Sequence, residues 1–354
     1  MDRNPHLVEE HPSPLSQPLA RWQLRGRSLL PVVQGGMGIG VSAHSLAGNV
    51  ARLGAVGTIS SVDLRHHHPD LLAQAKDCKD KDALDRLNLT ALDREIRMAL
   101  ELAAGQGAIA VNVMKAVSQY AAYVRQSCES GAHAIVMGAG LPFDLPDLMQ
   151  DFPAVALIPI LSDVRGVNIV LKKWMRKKRL PDAIVIEHPR YAGGIHTHAQ
   201  VRALLGMGAS AVQLGTPFAV TQEGDAHENF KHVLADAKPE DIVTFMSVAG
   251  LPARAVKTFW LENYLKREKA LQSHAKADPR RCVPGLNCLS VCGLRDGIDS
   301  IGQFCIDTRL TYALKGDVKK GLFFRGSEPL PFGHEIRPVA DLVNYLMTGS
   351  PTPP

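Results

Sequence analysis

The sequence predicts an α/β fold, a TIM (β/α)8-type barrel short by one βα unit and followed by a C-terminal extension containing cysteines. Three observations predict it. Short apolar runs alternate with helical patterns between residues 28 and 240. The runs lack in–out alternation, which marks strands covered on both faces in a parallel sheet. Polar and glycine residues collect where each run ends: Gln34-Gly35-Gly36, Asn112, Gly138-Ala139-Gly140, Ser162-Asp163, Glu187-His188, and Gln213 with Gly215-Thr216. In a barrel all such ends converge on one face, where active sites lie. A doubly wound sheet is the alternative, but Gly36-x-Gly38-x-Gly40 lacks the GxGxxG spacing of its phosphate turn.

Taken in order, residues 1–27 are polar and proline-bearing, a lead-in strand or irregular cap. The barrel spans 28–240. Its first strand, 29–34, enters the glycine run 35–40, and Ser42 is placed to cap a helix over 43–53 that stops at Gly54. Further strands are expected at 55–62, 107–114, 132–137, 155–161, 183–187 and 209–214. Helices are expected at 89–104, 117–130, 166–179, 197–206 and 226–236. His66-His67-His68 falls in a loop, and three consecutive imidazoles cannot all face one ion. Beyond 240 the alternation stops. Residues 241–281 read as a helical extension, and 282–354 as a cysteine-rich segment and tail with a final helix at 337–347.

Hydrophobic content of 45% and charged content of 21% over 354 residues are those of an ordinary globular chain with ample core. A formal net charge of +5 says little. The basic run from Lys172 to Arg179 reads as the solvated face and last turn of an amphipathic helix, and few aromatics interleave it, so nucleic acid is not an expected partner. No apolar run approaches membrane-spanning length and the N-terminus lacks a signal pattern, so a cytoplasmic location without a membrane partner is expected. An oligomer is allowed.

Two glycine turns stand out. Residues 183–186 lead through Glu187 to Gly193-Gly194, and residues 209–212 lead through Gln213 to Gly215-Thr216. A strand opening through glycine onto a helix N-terminus presents N–H groups to an anion. Two such turns close together suggest one phosphate held between them.

The order of these motifs resembles the FMN-dependent nitronate monooxygenases, formerly 2-nitropropane dioxygenases, and their relatives the flavin enoyl-ACP reductases. The resemblance runs from Pro31-Val32-Val33-Gln34-Gly35-Gly36-Met37 through Val111-Asn112-Val113-Met114 and residues 184–194 to Gln213-Leu214-Gly215-Thr216. It implies an FMN phosphate on the backbone at Gly193, Gly194, Gly215 and Thr216. It also implies that Gly36, Met37, Asn112 and Gln213 face the ring. For Asn112 and Gln213, a buried amide satisfied by neighbouring backbone is the competing account.

The family carries Ala-Gly-Gly-His after its sixth strand, and that histidine is the proposed base. Here Ala192-Gly193-Gly194 continues into Ile195-His196-Thr197-His198, as if two similar segments had fused at Gly194 and the βα material between them were lost. His188, His196 and His198 are the nearby substitutes for the base, His196 and His188 foremost; first-turn surface residues are the alternative account of His196 and His198. Glu187 and Asp163 end strands on the same face and could orient a base or contact the cofactor's ribityl chain. Cys282-x5-Cys288-x3-Cys292-x12-Cys305 offers four thiols for an iron–sulfur cluster or Zn²⁺, although the spacing fits neither standard pattern; packed, reduced cysteines are the alternative. Cys78 and Cys128 read as structural.

Three functions follow from these readings. The first is an FMN enzyme oxidising alkyl nitronates with O2. The second is an NAD(P)H-using enoyl reductase with the Lys172–Arg179 run at an acyl-carrier entrance. The third is a catalytically impaired flavin- or metal-binding protein.

Overall fold

The computed structural model describes residues 19–187, 194–282 and 288–350. The chain opens with a hairpin of β1 (Trp22–Leu24) and β2 (Arg27–Leu29), then β3 (Val32–Gln34) and α1 (His44–Arg52). β4 (Val56–Ser60) leads through a short 3-10 turn to α2 (Pro69–Ala75) and α3 (Lys81–Ala103). β5 (Ala108–Met114), α4 (Tyr120–Glu129), β6 (Ala134–Gly138), α5 (Leu145–Leu148), β7 (Ala156–Leu161), α6 (Val164–Arg176) and β8 (Val185–Ile186) follow. α7 (His198–Gly206), β9 (Val212–Leu214), α8 (Thr216–Ala219) and α9 (Glu228–Asp236) complete the alternation.

Seven of these strands form one parallel sheet in the order β8-β7-β6-β5-β4-β3-β9. They are the seven expected from the apolar runs. Among the described residues β8 and β9 do not pair with each other, so the described sheet has seven strands and stays open at that seam. The seven-stranded order fits the expectation of a barrel short by one βα unit, with the open seam between β8 and β9.

Strand periodicity sorts the side chains. Ala108 and Ala110 of β5, Ala134 and Val136 of β6, and Ala156 and Ile158 of β7 fill the barrel interior with Val56. The interior is narrow, so small residues dominate it. Leu24 and Leu29 of the β1–β2 hairpin join that cluster, so the lead-in segment is a plug that buries two leucines against the barrel interior. The alternate residues Ile109, Val111 and Ile135 point outward onto α1, α3 and α4, where Ala47, Ala91, Leu92, Ile96 and Val124 form the larger outer core.

The stretch after residue 240 corrects the sequence expectation. Residues 242–256 are an antiparallel hairpin of β10 (Ile242–Met246) and β11 (Pro252–Val256), not helix. Ile242, Val243, Thr244 and Phe245 favour a pleated surface, and Gly250 takes the positive φ of 74° that the turn requires. Helix begins at α10 (Phe259–Ser273); α11 (Gly293–Asp296), α12 (Ile306–Leu314) and α13 (Val339–Thr348) follow. Phe304 stacks edge-on against Trp260 and Tyr264, with centroids 5.2 and 4.9 Å away. This aromatic cluster organises the extension, and Ser290 N to Ala116 O (2.8 Å) ties it to the loop after β5.

Candidate active site

The C-terminal ends of β3, β4, β5 and β9 meet in register: Val33 pairs with Gln213, and Ser60 with Asn112. Asn112 continues the inward row of Ala108 and Ala110, and Gln213 is the inward residue of β9. Gly35 and Gly36 run between them. A Cβ on Gly36 would sit 2.4 Å from Asn112 Cβ, and one on Gly35 3.2 Å from Gln213 Cγ. Two side-chain-free residues thus let the backbone lie against both amides.

Three amides share this mouth and differ in what they touch. Gln34 is fully buried; its Oε1 accepts from Thr58 N at 2.8 Å, and its Nε2 donates to Thr58 O at 3.1 Å and to Gly35 O. It is a structural clamp between β3 and β4. Asn112 and Gln213 are half-buried, and among the described residues neither side-chain amide has a hydrogen-bond partner. The account in which neighbouring backbone satisfies them fails for these two. Met37 N donates to Ser42 Oγ at 2.8 Å, so Ser42 fastens the glycine loop and does not cap α1. The cap comes from far along the chain. Asp225 accepts from the amides of Ala43, Ser45 and Leu46 at 2.8, 3.0 and 3.1 Å.

Beside the amides lies the second glycine turn. Gly215 precedes Thr216, the first residue of α8, which has no side-chain cap. A Cβ on Gly215 would find only Met37 at 3.7 Å, so the face beside the turn is open. The C-terminal segment 322–330 passes over it: Gly326 N donates to Thr216 Oγ1 at 3.3 Å. A Cβ on Gly194, whose φ is 92°, would lie 3.5 Å from Glu328 Cγ of the same segment. The two turns expected to share an anion are therefore bridged by one strap. The helix after the first turn is closed by its own residues, because Gln200 Oε1 accepts from His196 N and Thr197 N, at 2.8 and 3.0 Å. Gly193 and His188 lie outside the described residues.

A match to the nitronate monooxygenase family covers residues 26–190 and 191–349. The chain belongs to that family. The two stretches of the family match meet at 190/191, just before the Gly194–Ile195 passage where the sequence reads as fused. A probable nitronate monooxygenase of Bacillus subtilis is 28% identical over 139 residues, and one of Staphylococcus saprophyticus 35% over 66. These alignments cover 39% and 19% of this chain and 33% and 19% of those relatives. The chain thus matches a third or less of either relative's length. Among solved structures, FabK from Thermotoga maritima superposes with a TM-score of 0.59 at 18% identity, over 89% of this chain and 90% of that one. It shares the fold.

Ile195, which the sequence resemblance sets at the family's histidine position, packs its side chain against the cluster of Val32, Leu46, Val201 and Leu342. His196 is not a surface residue, as one account of it had it. It is 4% exposed, burial holds its pKa below the ordinary value, and its buried Nδ1 has no partner among the described residues. His198 donates through Nδ1 to Leu346 O at 2.8 Å and so serves α13. Asp163 caps α6 by accepting from Gly166 N at 2.6 Å. Burial pushes the Cys128 thiol up to about 12, in keeping with a structural role.

Among the described residues no group of three or more His, Cys, Asp and Glu side chains is arranged to hold an ion. Cys288 and Cys292 pack into the aromatic cluster with Phe304, and Cys305 Sγ accepts from Thr308 Oγ1 at 3.2 Å. Sequence patterns also gave no sign of the strap at Gly326, whose only mark is an arginine and a glycine closing the apolar run Leu322-Phe323-Phe324.

Proposed function

We propose that the protein is a flavin-dependent oxidoreductase that holds FMN across the barrel mouth and oxidises alkyl nitronates with O2. The observation that carries this reading is the pair of unpartnered amides, Asn112 and Gln213, set against the bare backbone of Gly35 and Gly36. A flat ring with a polar edge needs such a surface, with close backbone on one side and amide donors and acceptors at the rim. Gly194, Gly215 and Thr216 fit the phosphate end: two open glycine faces, an uncapped helix start, and a hydroxyl. FMN, when bound, accepts electrons from the substrate and passes them to O2.

The protein's own residues bind and orient. Nothing at the family's base position can take a proton, since Ile195 is apolar and packed. Neutral nitroalkanes need a base to remove the α-proton, whereas preformed nitronates are already anions. The expected substrate is therefore the nitronate. Anaerobic purification with an absorption spectrum, followed by O2 uptake with propyl-2-nitronate and with 2-nitropropane, tests this. Flavin bands and turnover of the nitronate alone are expected; a colourless protein that takes up no added FMN would overturn the reading.

An NAD(P)H-dependent enoyl reductase is the second reading. Its one structural support is the exposed face of α6, which carries Arg165, Lys172 and Arg176 in line. Bleaching of the flavin by NADH in the absence of O2 separates it from the first.

A further inference from the structure

The face of the barrel opposite the candidate active site carries a hollow of about 340 Å³. It lies where the β1–β2 hairpin meets the N-terminal ends of β5, β6 and β7, and Leu24, Ala108, Ala132 and Val155 give it an apolar wall. Its polar side chains are Arg25, Arg27 and His133. All three can donate hydrogen bonds. No carboxylate stands among the described residues that line it.

Each donor group is left with something to give. Arg27 is half-buried; its Nη1 donates to Gly107 O at 3.1 Å, and it has no carboxylate partner among the described residues. A carbonyl satisfies one N–H of a guanidinium and leaves its charge uncompensated. Arg25 stands at the rim, its Nε 2.7 Å from Asp182 Oδ1. Asp182 also takes Arg179 Nη2 at 2.6 Å and Leu157 N at 2.8 Å, so one negative charge faces two guanidiniums. Arg25 holds φ 49° ahead of Gly26 in the hairpin turn, a left-handed position that favours asparagine or glycine. His133 Nδ1 accepts from Ile109 N at 2.9 Å, which fixes the proton of the neutral ring on Nε2. Burial, with Arg27 nearby, keeps the ring neutral by lowering its pKa to about 4. Its Nε2–H has no partner among the described residues.

We propose that this hollow binds a small organic anion, a carboxylate on a short hydrocarbon body, with Arg27 and His133 Nε2–H at the carboxylate and Arg25 at the rim. A guanidinium meets a planar carboxylate through parallel N–H groups. The apolar wall suits a hydrocarbon body and gives nothing to a fully hydrated inorganic ion. Barrel active sites lie at the C-terminal ends of the strands, so this site is separate from the mouth, and the inference stands independently of the FMN reading. A bound anion would fasten the hairpin, whose Leu24 and Leu29 plug the barrel interior, to the ends of β5 and β6.

The test titrates the full chain, as purified, with sodium hexanoate, hexanamide and inorganic phosphate, reading heat by calorimetry. Saturable hexanoate binding is expected, with hexanamide, its neutral isostere, and phosphate each at least about tenfold weaker. Arg27→Met should weaken hexanoate by a similar factor. His133→Asn should weaken it several-fold: the amide oxygen can still accept from Ile109 N, but the shorter side chain no longer reaches the Nε2 position. Arg179→Met is the control, since it removes a nearby positive charge that does not line the hollow. It should leave hexanoate binding unchanged. Absence of saturable hexanoate binding overturns the proposal, as does equal binding of hexanamide. Phosphate binding as tightly as hexanoate would mean that the apolar wall plays no part, and the assignment of a carboxylate on a hydrocarbon body falls. A loss in Arg179→Met as large as in Arg27→Met would mark a diffuse positive field with no built site, and overturns it too. If Arg27→Met fails to fold, His133→Asn and the hexanoate-to-hexanamide ratio of the natural chain decide the matter.

Discussion

Gln34, Asn112 and Gln213 are three amides at one barrel mouth, and their partners predict opposite consequences of removing them. Replacing Gln34 by leucine strands the Thr58 N–H and C=O that it clamps. Leaving two buried polar groups unpaired is expected to cost about 2–4 kcal/mol, read from urea unfolding. Asn112→Leu and Gln213→Leu strand nothing among the described residues. Each should leave the urea midpoint nearly unmoved and weaken FMN about three- to tenfold, the worth of one net hydrogen bond. A midpoint that drops for Asn112→Leu would return that residue to the structural class. Ile195 belongs in the same comparison. The resemblance suggests Ile195→His as the repair of the missing base, yet the site is an apolar contact with Val32 and Leu342. An imidazole buried there lacks partners, so a loss of about 1–3 kcal/mol and no gain in 2-nitropropane turnover is expected.

At the scale of elements, α1 shows how far a local reading reaches. The sequence correctly placed a helix ending before Gly54 and a glycine loop before it, because those signals are adjacent in the chain. The cap was misassigned to Ser42, because Asp225 lies 182 residues from the amide it accepts at Ala43. The same helix start is held by Glu95, which is fully buried. Its Oε2 accepts from His44 N and contacts His44 Nδ1 at 2.8 and 2.7 Å, and His68 Nε2 lies 2.9 Å from Oε1 as an ion-pair contact. Burial opposes the charge, but the His44 and His68 contacts outweigh it and hold Glu95 at about 2, while Glu95 in turn raises His44. The signs follow directly. Glu95 is depressed, so its contribution is full above its unfolded value near 4.5 and is lost as pH falls toward 2. His44 is raised, so its contribution is full below 6.5 and is lost as pH climbs through its folded value. The stability difference between wild type and Glu95→Gln should therefore peak between about pH 4.5 and 6.5, on the order of 3 kcal/mol. Urea midpoints at pH 3, 5.5 and 8.5 measure it, and a difference that grows from 5.5 to 8.5 would refute the triad as its source.

For the whole molecule, the barrel was legible because each strand announces itself twice, by an apolar run and by the polar or glycine residues at its end. The β10–β11 hairpin carried no such second signal, and its apolar residues fit a helical reading as well as a pleated one. The open seam was legible too, as the direct passage from Gly194 to Ile195, and its structural counterpart is the seven-stranded order in which, among the described residues, β8 and β9 do not pair with each other. Strand number, tilt and shear are linked in a closed barrel, so the seam should be the weak side of the sheet and the place where function was altered. Inserting at 190/191 a βα segment with the family's Ala-Gly-Gly-His turn supplies both losses at once. The added strand can pair with β8 and β9, and its histidine arrives at a strand end facing the barrel mouth, where Ile195→His cannot put one. A general base typically contributes about 10²–10⁴-fold. The insertion should therefore raise turnover of 2-nitropropane by about a hundredfold while changing propyl-2-nitronate turnover little, since the anion needs no base. A parallel variant with alanine in place of the inserted histidine separates the two effects: it should gain thermal stability and no nitroalkane turnover. Equal gains on both substrates would mean that the open seam, and not the missing base, limits the natural chain.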